Sequence, residues 1–300
     1  FSNLNKLSET AEIKYNITYR HDIQRQSSYS QTTYLLPDAS TRMMTEDISA
    51  RNTTNAATMQ LHFENNGSKT YLKNTLDLAG NWSDDNGLTL SNNARIQQHA
   101  FNRNLGLNNH TEWIQRTTNG GGFKLKTTNF VQINPQALAI EGDMQTRQDV
   151  RLSNMGSYNS LTLIRNIRKH NWTIAPSAEL NIEYVGLKSL LSDTAVTMAT
   201  SGDMGYLQMK SNVGANLQYV KNTFRLSFNL PLSLNYTKVD NEPIANETTK
   251  GKRTTLLFSP SFTMLWKATD NWTLSAGGSY GMFPTSWRSL FTAYLMSNYR

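Results

Sequence analysis

Apolar and polar residues alternate along TFRLSFNLPLSLNY, the segment at residues 223–236. Seven apolar side chains occupy every second position, the first being Phe224 and the last Tyr236, and polar residues and one proline lie between them. A period of two places successive side chains on opposite faces of a β-strand. The segment therefore predicts a strand whose apolar face contacts either a protein core or a lipid bilayer.

The same alternation recurs in six further segments, and turn-forming residues separate the predicted strands. The segments are EIKYNITYR (12–20), MQLHF (59–63), WTIAPSAELNIEY (172–184), VGANLQY (213–219), LLFSPSFTMLW (256–266) and WTLSAGGSY (272–280). The turn signals are ENNGS (64–68), SDDNG (83–87), TNGGG (118–122), RKHN (168–171), VKNT (220–223) and KATDN (267–271). Because a strand and its turn take about 20 residues, the pattern predicts an all-β chain with about 14 strands in one antiparallel up-and-down meander.

The predicted connections differ in length. VKNT and KATDN are tight, whereas residues 186–204 and 237–252 read as long polar loops. Short turns at one end of a sheet and long loops at the other are typical of a transmembrane β-barrel of the outer membrane. We therefore expect the strands to form part of a larger barrel of this kind.

Aromatic residues mark both ends of the predicted strands. Trp172 and Tyr184 are twelve residues apart, as are Phe224 and Tyr236. This spacing corresponds to about 40 Å of strand, or to roughly 28 Å of membrane thickness at a tilt of about 45°. We predict two membrane-interface girdles: Trp172, Tyr219, Phe224, Trp266 and Trp272 beside the short turns, and Tyr184, Tyr236 and Tyr280 at the opposite end.

Three prolines oppose the lipid prediction. A proline removes one donor from the hydrogen-bond ladder, and unpaired backbone groups are costly in lipid. We expect Pro176, Pro231 and Pro260 to lie at β-bulges. A soluble β-rich binding protein, in which the apolar faces pair as a sandwich, is an alternative that also fits the alternation.

Composition is consistent with a single apolar layer. Only 38% of the 300 residues are hydrophobic, below the roughly 45–50% of globular chains. The net charge of +7 is scattered along the chain, so we expect no nucleic-acid partner. No apolar run approaches the roughly 18 residues of a spanning helix. The chain begins at Phe1 without a signal peptide, and we expect residues 1–300 to be one barrel segment of a longer protein, without a plug or second domain.

Enzyme chemistry is not expected. The chain has no cysteine, and its five histidines show no metal-ligand spacing. His110 and Glu112 share one face of a predicted strand, but two ligands do not make a metal site. We therefore predict no catalytic residue, no metal and no cofactor.

Several segments resemble the barrel of TonB-dependent outer-membrane receptors from Bacteroidetes-type bacteria. They are AEIKYNITYRHD, TTYLLPD, FENNGSKTYLKNTLDL, SPSFTMLWKATDNWTLSAGGSYG and the final YLMSNYR. The resemblance implies a 22-stranded barrel, a plug inside it and a coupling box that contacts the inner-membrane TonB complex. It also implies import of an iron chelate, cobalamin, a glycan or a peptide. The plug, the coupling box and the C-terminal aromatic strand are absent from these residues, so TonB contact would require a missing N-terminal region.

Three functions follow from these observations. The leading expectation is the wall of an energised outer-membrane transporter of a Gram-negative bacterium, with lipid bilayer and lipopolysaccharide as surroundings and an unidentified ligand. A passive porin-like or structural barrel and a soluble binding protein are the alternatives. The candidate lumen-facing ligand residues are Glu179, Glu183, Arg225 and Asn229.

Overall fold

The computed structural model describes residues 1–37, 40–92, 94–118, 121–142, 145–167, 171–193, 200–242, 249–269 and 271–281. Within them lie thirteen strands: β1 Ser2–Lys6, β2 Ala11–Leu35, β3 Thr41–Asn66, β4 Thr70–Ser91, β5 Ala94–Arg116, β6 Gly122–Glu141, β7 Gln145–Ile167, β8 Trp172–Asp193, β9 Thr200–Lys221, β10 Phe224–Glu242, β11 Thr249–Phe258, β12 Ser261–Lys267 and β13 Thr273–Ser279. In this part of the chain no helix is long and apolar enough to cross a membrane.

The strands form one antiparallel sheet in chain order. Each strand from β1 to β9 pairs with the next, β10 pairs with both β11 and β12, and β12 pairs with β13. The predicted all-β, up-and-down meander is confirmed, with thirteen strands among the described residues. Among the described residues, β1 and β13 end the strand order and are not paired with each other. Residues 18–35 of β2 and the outer side of β11 also have no strand partner in this part of the chain.

Strand length corrects two kinds of sequence prediction. Strands β2 to β10 contain 19 to 26 residues each, about twice the 9–11 residues that cross a bilayer. The turn predicted at 83–87 is wrong, because these residues pair with both β3 and β5 inside β4. The long loops predicted at 186–204 and 237–252 are also wrong over their described residues, which extend β8, β9, β10 and β11.

The prolines interrupt hydrogen bonding without shifting the register. Three ladders have gaps, and each gap contains a proline: Pro135 between β5 and β6, Pro176 between β7 and β8, and Pro231 with Pro260 where β11 gives way to β12. The register on the two sides of each gap is the same, so neither strand carries an extra residue. The predicted bulges are therefore wrong; a missing N–H opens the ladder locally without an insertion.

The β9–β10 turn lies at the same end of the sheet as the turns before β2, β4, β6, β8 and β13, and this end is here called the turn end. The opposite end also has short connections, because β4 ends at Ser91 and β5 begins at Ala94, so the predicted contrast between short turns at one end and long loops at the other is wrong there. Asn222 has a φ of 51° between β9 and β10, a left-handed conformation that asparagine tolerates better than most residues. The predicted turns at ENNGS, TNGGG, VKNT and KATDN fall at strand ends, and RKHN lies between β7 and β8. Residues 119–120, 168–170 and 270 of these turns lie outside the described residues.

Successive turns are displaced along the strands. The amide of Lys267 donates to the carbonyl of Thr223 at 3.1 Å. Thr223 is already in the β9–β10 turn, whereas Lys267 is still the last residue of β12, so the β12–β13 turn lies further along the strand direction. From β1 to β13, each turn at the turn end lies further along the strands than the one before it, by roughly one residue for every strand crossed. If the turns lie in one plane, this displacement corresponds to a strand tilt of roughly 35°. Transmembrane barrels have tilts of this size.

Cross-strand partners divide the sheet into two faces. Leu230 of β10 lies opposite Ala215 of β9, and this side, with the alternating residues of the other strands, is called the apolar face. Asn229 lies opposite Asn216 and Ser261 on the polar face. The predicted alternation thus continues across neighbouring strands as well as along each one.

The polarity of the faces reverses far from the turn end. Beyond Tyr184, the apolar face of β8 carries Lys188, while Val185 and Leu187 lie on the polar face. A cluster of buried residues forms there, called the distal core: Val185, Leu187, Met204 and Tyr206, packed against Val150, Leu152 and Val239. Nearby, Gln148 donates to Ser189 at 2.9 Å, and both are buried. The extensions of β7 to β10 therefore have a small core of their own.

Replacing Leu187 by alanine tests the distal core. Leu187 is 4% exposed and Leu190, three residues later on the other face, is 46% exposed. We expect Leu187→Ala to lower the free energy of unfolding by about 2–5 kcal/mol, because a buried cavity is left. Leu190→Ala, the same substitution on the same strand, should cost less than about 1 kcal/mol. Denaturant titration of the two variants measures this, and equal losses would contradict burial at Leu187.

Candidate functional site: the polar face of the sheet

Polar residues on neighbouring strands meet on the polar face because the register places them opposite each other. Gln60 donates from Nε2 to Asp77 at 2.7 Å, and His110 Nδ1 lies 2.9 Å from the hydroxyl of Thr128. Such cross-strand bonds satisfy polar groups side by side and stiffen the wall they line. The face can thus contact water or a hydrophilic ligand without large unpaired surfaces.

Charged groups follow the same arrangement. Glu112 forms an ion pair with Lys124 on the next strand. His62 contacts Thr75 at 3.1 Å and Glu64 at 3.3 Å. His110 and Glu112 therefore have separate partners. Among the described residues, no group of three or more histidines and acids is placed to hold a metal ion.

The four predicted ligand residues all lie on the polar face but not in one cluster. Glu179 accepts a hydrogen bond from Asn212 at 2.7 Å, and Glu183 accepts one from the hydroxyl of Tyr158 at 3.3 Å. These two glutamates are four residues apart on β8. Arg225 and Asn229 lie two strands away on β10, with Arg225 beside the β9–β10 turn.

The polar face also carries lysine and arginine side chains that form no ion pair within the described residues. In the described part of the chain, Lys73, Lys126, Lys210 and Arg225 form no ion pair. Lys210 lies opposite Asn181 of β8, and Asn181 lies between Glu179 and Glu183 in sequence. The polar face therefore offers both anionic and cationic contacts at this level, a feature that sequence reasoning did not identify.

Three of the five predicted girdle residues beside the turns contact one another. The ring centroids of Trp172 and Tyr219 are 5.2 Å apart, and those of Tyr219 and Phe224 are 6.2 Å apart. Trp266 lies opposite Phe224 on β12, and Trp272 lies just before β13. These rings form a row on the apolar face at the turn end.

At the other end, Tyr184 and Tyr236 also lie on the apolar face. Tyr280 lies just after β13, where its amide donates to the carbonyl of Pro260 at 3.0 Å. Sequence reasoning missed the edge-to-face pair of Trp113 and Phe123, whose centroids are 4.9 Å apart at the turn end. Their position beside the TNGGG turn was the available signal.

A ladder of amides and hydroxyls crosses the apolar face, which sequence reasoning also missed. Asn74 donates to Thr111 at 2.7 Å, and Asn109 donates to Asn74 at 3.3 Å. On the next strands, Ser157 donates to Asn129 at 2.7 Å and accepts from Asn159 at 2.9 Å. Mutual hydrogen bonds reduce the cost of placing these groups in an apolar environment.

Beyond the tyrosines, charged residues cover the apolar-face side of the distal core. Lys188 lies 2.8 Å from Asp203, and this hydrogen bond raises the pKa of Lys188. Arg147 contacts Asp149 at 2.9 Å, which likewise raises the pKa of Arg147. Away from the distal core, on β4, the pKa of Asp85 is also raised. Burial of its carboxyl group is the larger cause and the negative charge of Asp84 is the smaller one.

Comparison with solved structures finds outer-membrane receptors and an autotransporter domain. The alcaligin receptor FauA from Bordetella pertussis is 13% identical over 91% of this chain and 44% of the receptor, with a TM-score of 0.46. The ferric yersiniabactin uptake receptor FyuA from Yersinia pestis is 9% identical over 87% of this chain and 46% of the receptor, with a TM-score of 0.47. The translocator domain of the autotransporter NalP from Neisseria meningitidis is 11% identical over 91% of this chain and 82% of that domain, with a TM-score of 0.31.

The chain spans less than half of the length of the two receptors. No family model and no curated protein matches it.

Proposed function

We propose that this chain forms part of the wall of a β-barrel in the outer membrane of a Gram-negative bacterium, and that the whole protein is an energised, ligand-importing transporter of the TonB-dependent kind. The observation that carries the membrane assignment is the apolar face. Its aromatic rows lie at both ends of a band of mainly apolar side chains, which the hydrogen-bonded amides and hydroxyls around Asn74, Asn109 and Asn129 cross. Aromatic rings favour the two membrane–water interfaces, and the apolar band between them suits lipid tails.

The geometry of the sheet supports the same assignment. A strand tilt of roughly 35° shortens the twelve-residue spacing of the aromatic rows, about 40 Å of strand, to about 32 Å along the membrane normal. The strands continue well beyond this band, where the apolar-face positions become charged. The extensions fit a surface projecting into water above the membrane.

The polar face supports a lumen. Most of its residues within the band are polar and several hydrogen-bond across strands, as a water-filled or plugged interior requires, although Ile114 and Phe130 also lie on this face. The unpaired edges at β1 and β13 cannot face lipid. We therefore propose that further strands close the barrel, which agrees with the larger barrel that the sequence resemblance implies.

Import of a scarce ligand is the proposed activity. Glu179, Glu183, Arg225 and Asn229 are proposed ligand contacts on the lumen side, and the TonB complex is the proposed energy-coupling partner. The resemblance of AEIKYNITYRHD and SPSFTMLWKATDNWTLSAGGSYG to Bacteroidetes-type receptor barrels supports this proposal. The ligand class stays open among iron chelates, cobalamin, glycans and peptides.

A charge introduced on the apolar face tests the membrane assignment. Leu230→Arg should lower the free energy of unfolding by about 2–4 kcal/mol, because it places a charge near the bilayer midplane. Asn229→Arg, one residue away on the polar face, should cost far less. A refolding titration in lipid vesicles compares the two variants, and equal penalties would contradict lipid contact at Leu230.

Uptake with and without proton-motive force tests the transport proposal. A deletion strain and the same strain complemented with the gene would be given radiolabelled ferric chelates, cobalamin, oligosaccharides and peptides in separate assays. We expect one class to be taken up only by the complemented strain, and a protonophore should abolish that uptake. Uptake that persists at full rate with the protonophore would indicate a passive barrel instead and would contradict the proposal.

A further inference from the structure

We propose that β2 to β5 carry, on the apolar face, a binding site for one acylated and phosphorylated lipid of the outer leaflet. The site consists of an apolar groove within the membrane band and an arginine-lined cavity directly beyond it. Nothing in the transport proposal requires this site, but the inference rests on the proposed outer-membrane location.

The groove has the form and chemistry of an acyl-chain site. It encloses about 590 Å³ between Ile17, Met59, Leu78, Leu105 and Val131, and its floor contains the small residues Ala57 and Gly80. Ala57 and Gly80 are cross-strand partners, so two small residues lie side by side. The larger neighbours rise around them and leave room for a flexible hydrocarbon chain.

Trp82 connects the groove to a second cavity. Its ring lies over Gly80, where a Cβ atom would come within 2.9 Å of the indole. Trp82 lines both the groove and the next cavity away from the turn end, which has a volume of about 410 Å³. Trp82 and Tyr236 lie the same number of residues from the turn that precedes their strands, β4 and β10. Trp82 is therefore at the level of the aromatic row that contains Tyr236. An indole at that level marks the boundary between acyl chains and headgroups.

The second cavity offers guanidinium groups to an anion. Arg51 and Arg103 line it, and Arg51 also lines an adjoining cavity of about 450 Å³ with Arg25 and Arg95. Arg25 lies directly opposite Arg51 across the β2–β3 ladder. Like charges at directly opposite positions are unfavourable without a counter-ion. A phosphate between the two guanidinium groups would remove this repulsion by charge-assisted hydrogen bonds.

Carboxylates in the described residues do not form ion pairs with the two opposed arginines, Arg25 and Arg51. The acid that lines the cavity, Asp84, is held by His99 at 2.9 Å and by Asn86 at 3.0 Å. At a comparable level on the same face, in strands β8 to β10, Lys188 and Lys238 are paired with Asp203 and Asp240.

An acylated phospho-ligand is favoured over free phosphate because of this continuity. The apolar groove, the indole and the arginines follow one another along the same strands in the order of chain, interface and headgroup. Free phosphate would use only the arginines and would leave the groove without a role.

Binding of lipid A tests the site. Full-length protein folded in dodecyl maltoside would be titrated with bisphosphorylated lipid A and with dephosphorylated lipid A, and bound lipid counted by native mass spectrometry. We expect one tight phosphate-dependent site, weakened roughly tenfold or more by the double variant Arg25→Gln with Arg51→Gln, because charge-assisted hydrogen bonds are lost. The matched double variant Lys188→Gln with Lys238→Gln removes the same charge from ion-paired lysines and should bind as the parent does.

The groove has its own pair of variants. Ala57→Phe fills the floor and should weaken lipid A binding, whereas Ala178→Phe, on the apolar face of β8, should not. Equal affinity for the two lipids, equal effects of the arginine and lysine variants, or inorganic phosphate that competes as well as lipid A would each overturn the proposal. Circular dichroism confirms that each variant is folded. A protein that stays soluble without detergent would instead contradict the outer-membrane location itself.

Discussion

An unbroken register across the sheet is the constraint on which the rest of the structure depends. Because side chains alternate with a period of two, a slip of one residue would move every side chain of a strand to the other face. The described ladders keep one register along their whole length, including across the gaps at Pro135, Pro176 and Pro231. Apolar side chains therefore gather on one side of the sheet, and polar side chains gather on the other.

The same constraint explains why the two ends of the strands differ. The alternation continues beyond Tyr184, but the residue types change places, so that Val185 and Leu187 join the face that carries Glu179 and Glu183. No break in the backbone is needed to build a small core above a polar wall. On the apolar face at this level, charged pairs such as Lys188 and Asp203 take the place of the apolar side chains found closer to the turn end.

Much of the fold could be predicted from local pattern, and the failures have a common cause. Alternating segments such as 223–236 and tight turns such as VKNT were readable because strand period and turn chemistry agree there. SDDNG has strong turn propensity, but its residues extend β4 and pair on both sides, so cooperative pairing outweighs local preference. The apparent loop at 186–204 misled for a similar reason, since its described residues extend β8 and β9 with Leu187 and Met204 on the polar face and Lys188 on the apolar face.

The candidate sites were less predictable than the fold. Faces follow from the period, so the polar-face positions of Glu179 and Asn229 could be predicted. Partners depend on register between strands that are distant in sequence, so neither the bond from Asn212 to Glu179 nor the opposition of Arg25 and Arg51 could be read from the chain. Trp82 was missed because SDDNG, read as a turn, removed its strand from consideration.

Spin-label accessibility along β10 tests the central claim most directly. The 300 residues contain no cysteine, so nitroxides can be attached at single introduced cysteines from 226 to 240 in the protein reconstituted in bilayers. The account predicts that the even-numbered positions of 226–234 are accessible to oxygen and that positions 227 and 229 on the polar face are accessible to a water-soluble nickel chelate. Beyond Tyr236, the even-numbered positions should be the ones accessible to the chelate, because Val239 packs against the distal core. Nickel access on both faces, or even-numbered positions closed to both reagents, would contradict a lipid-facing sheet.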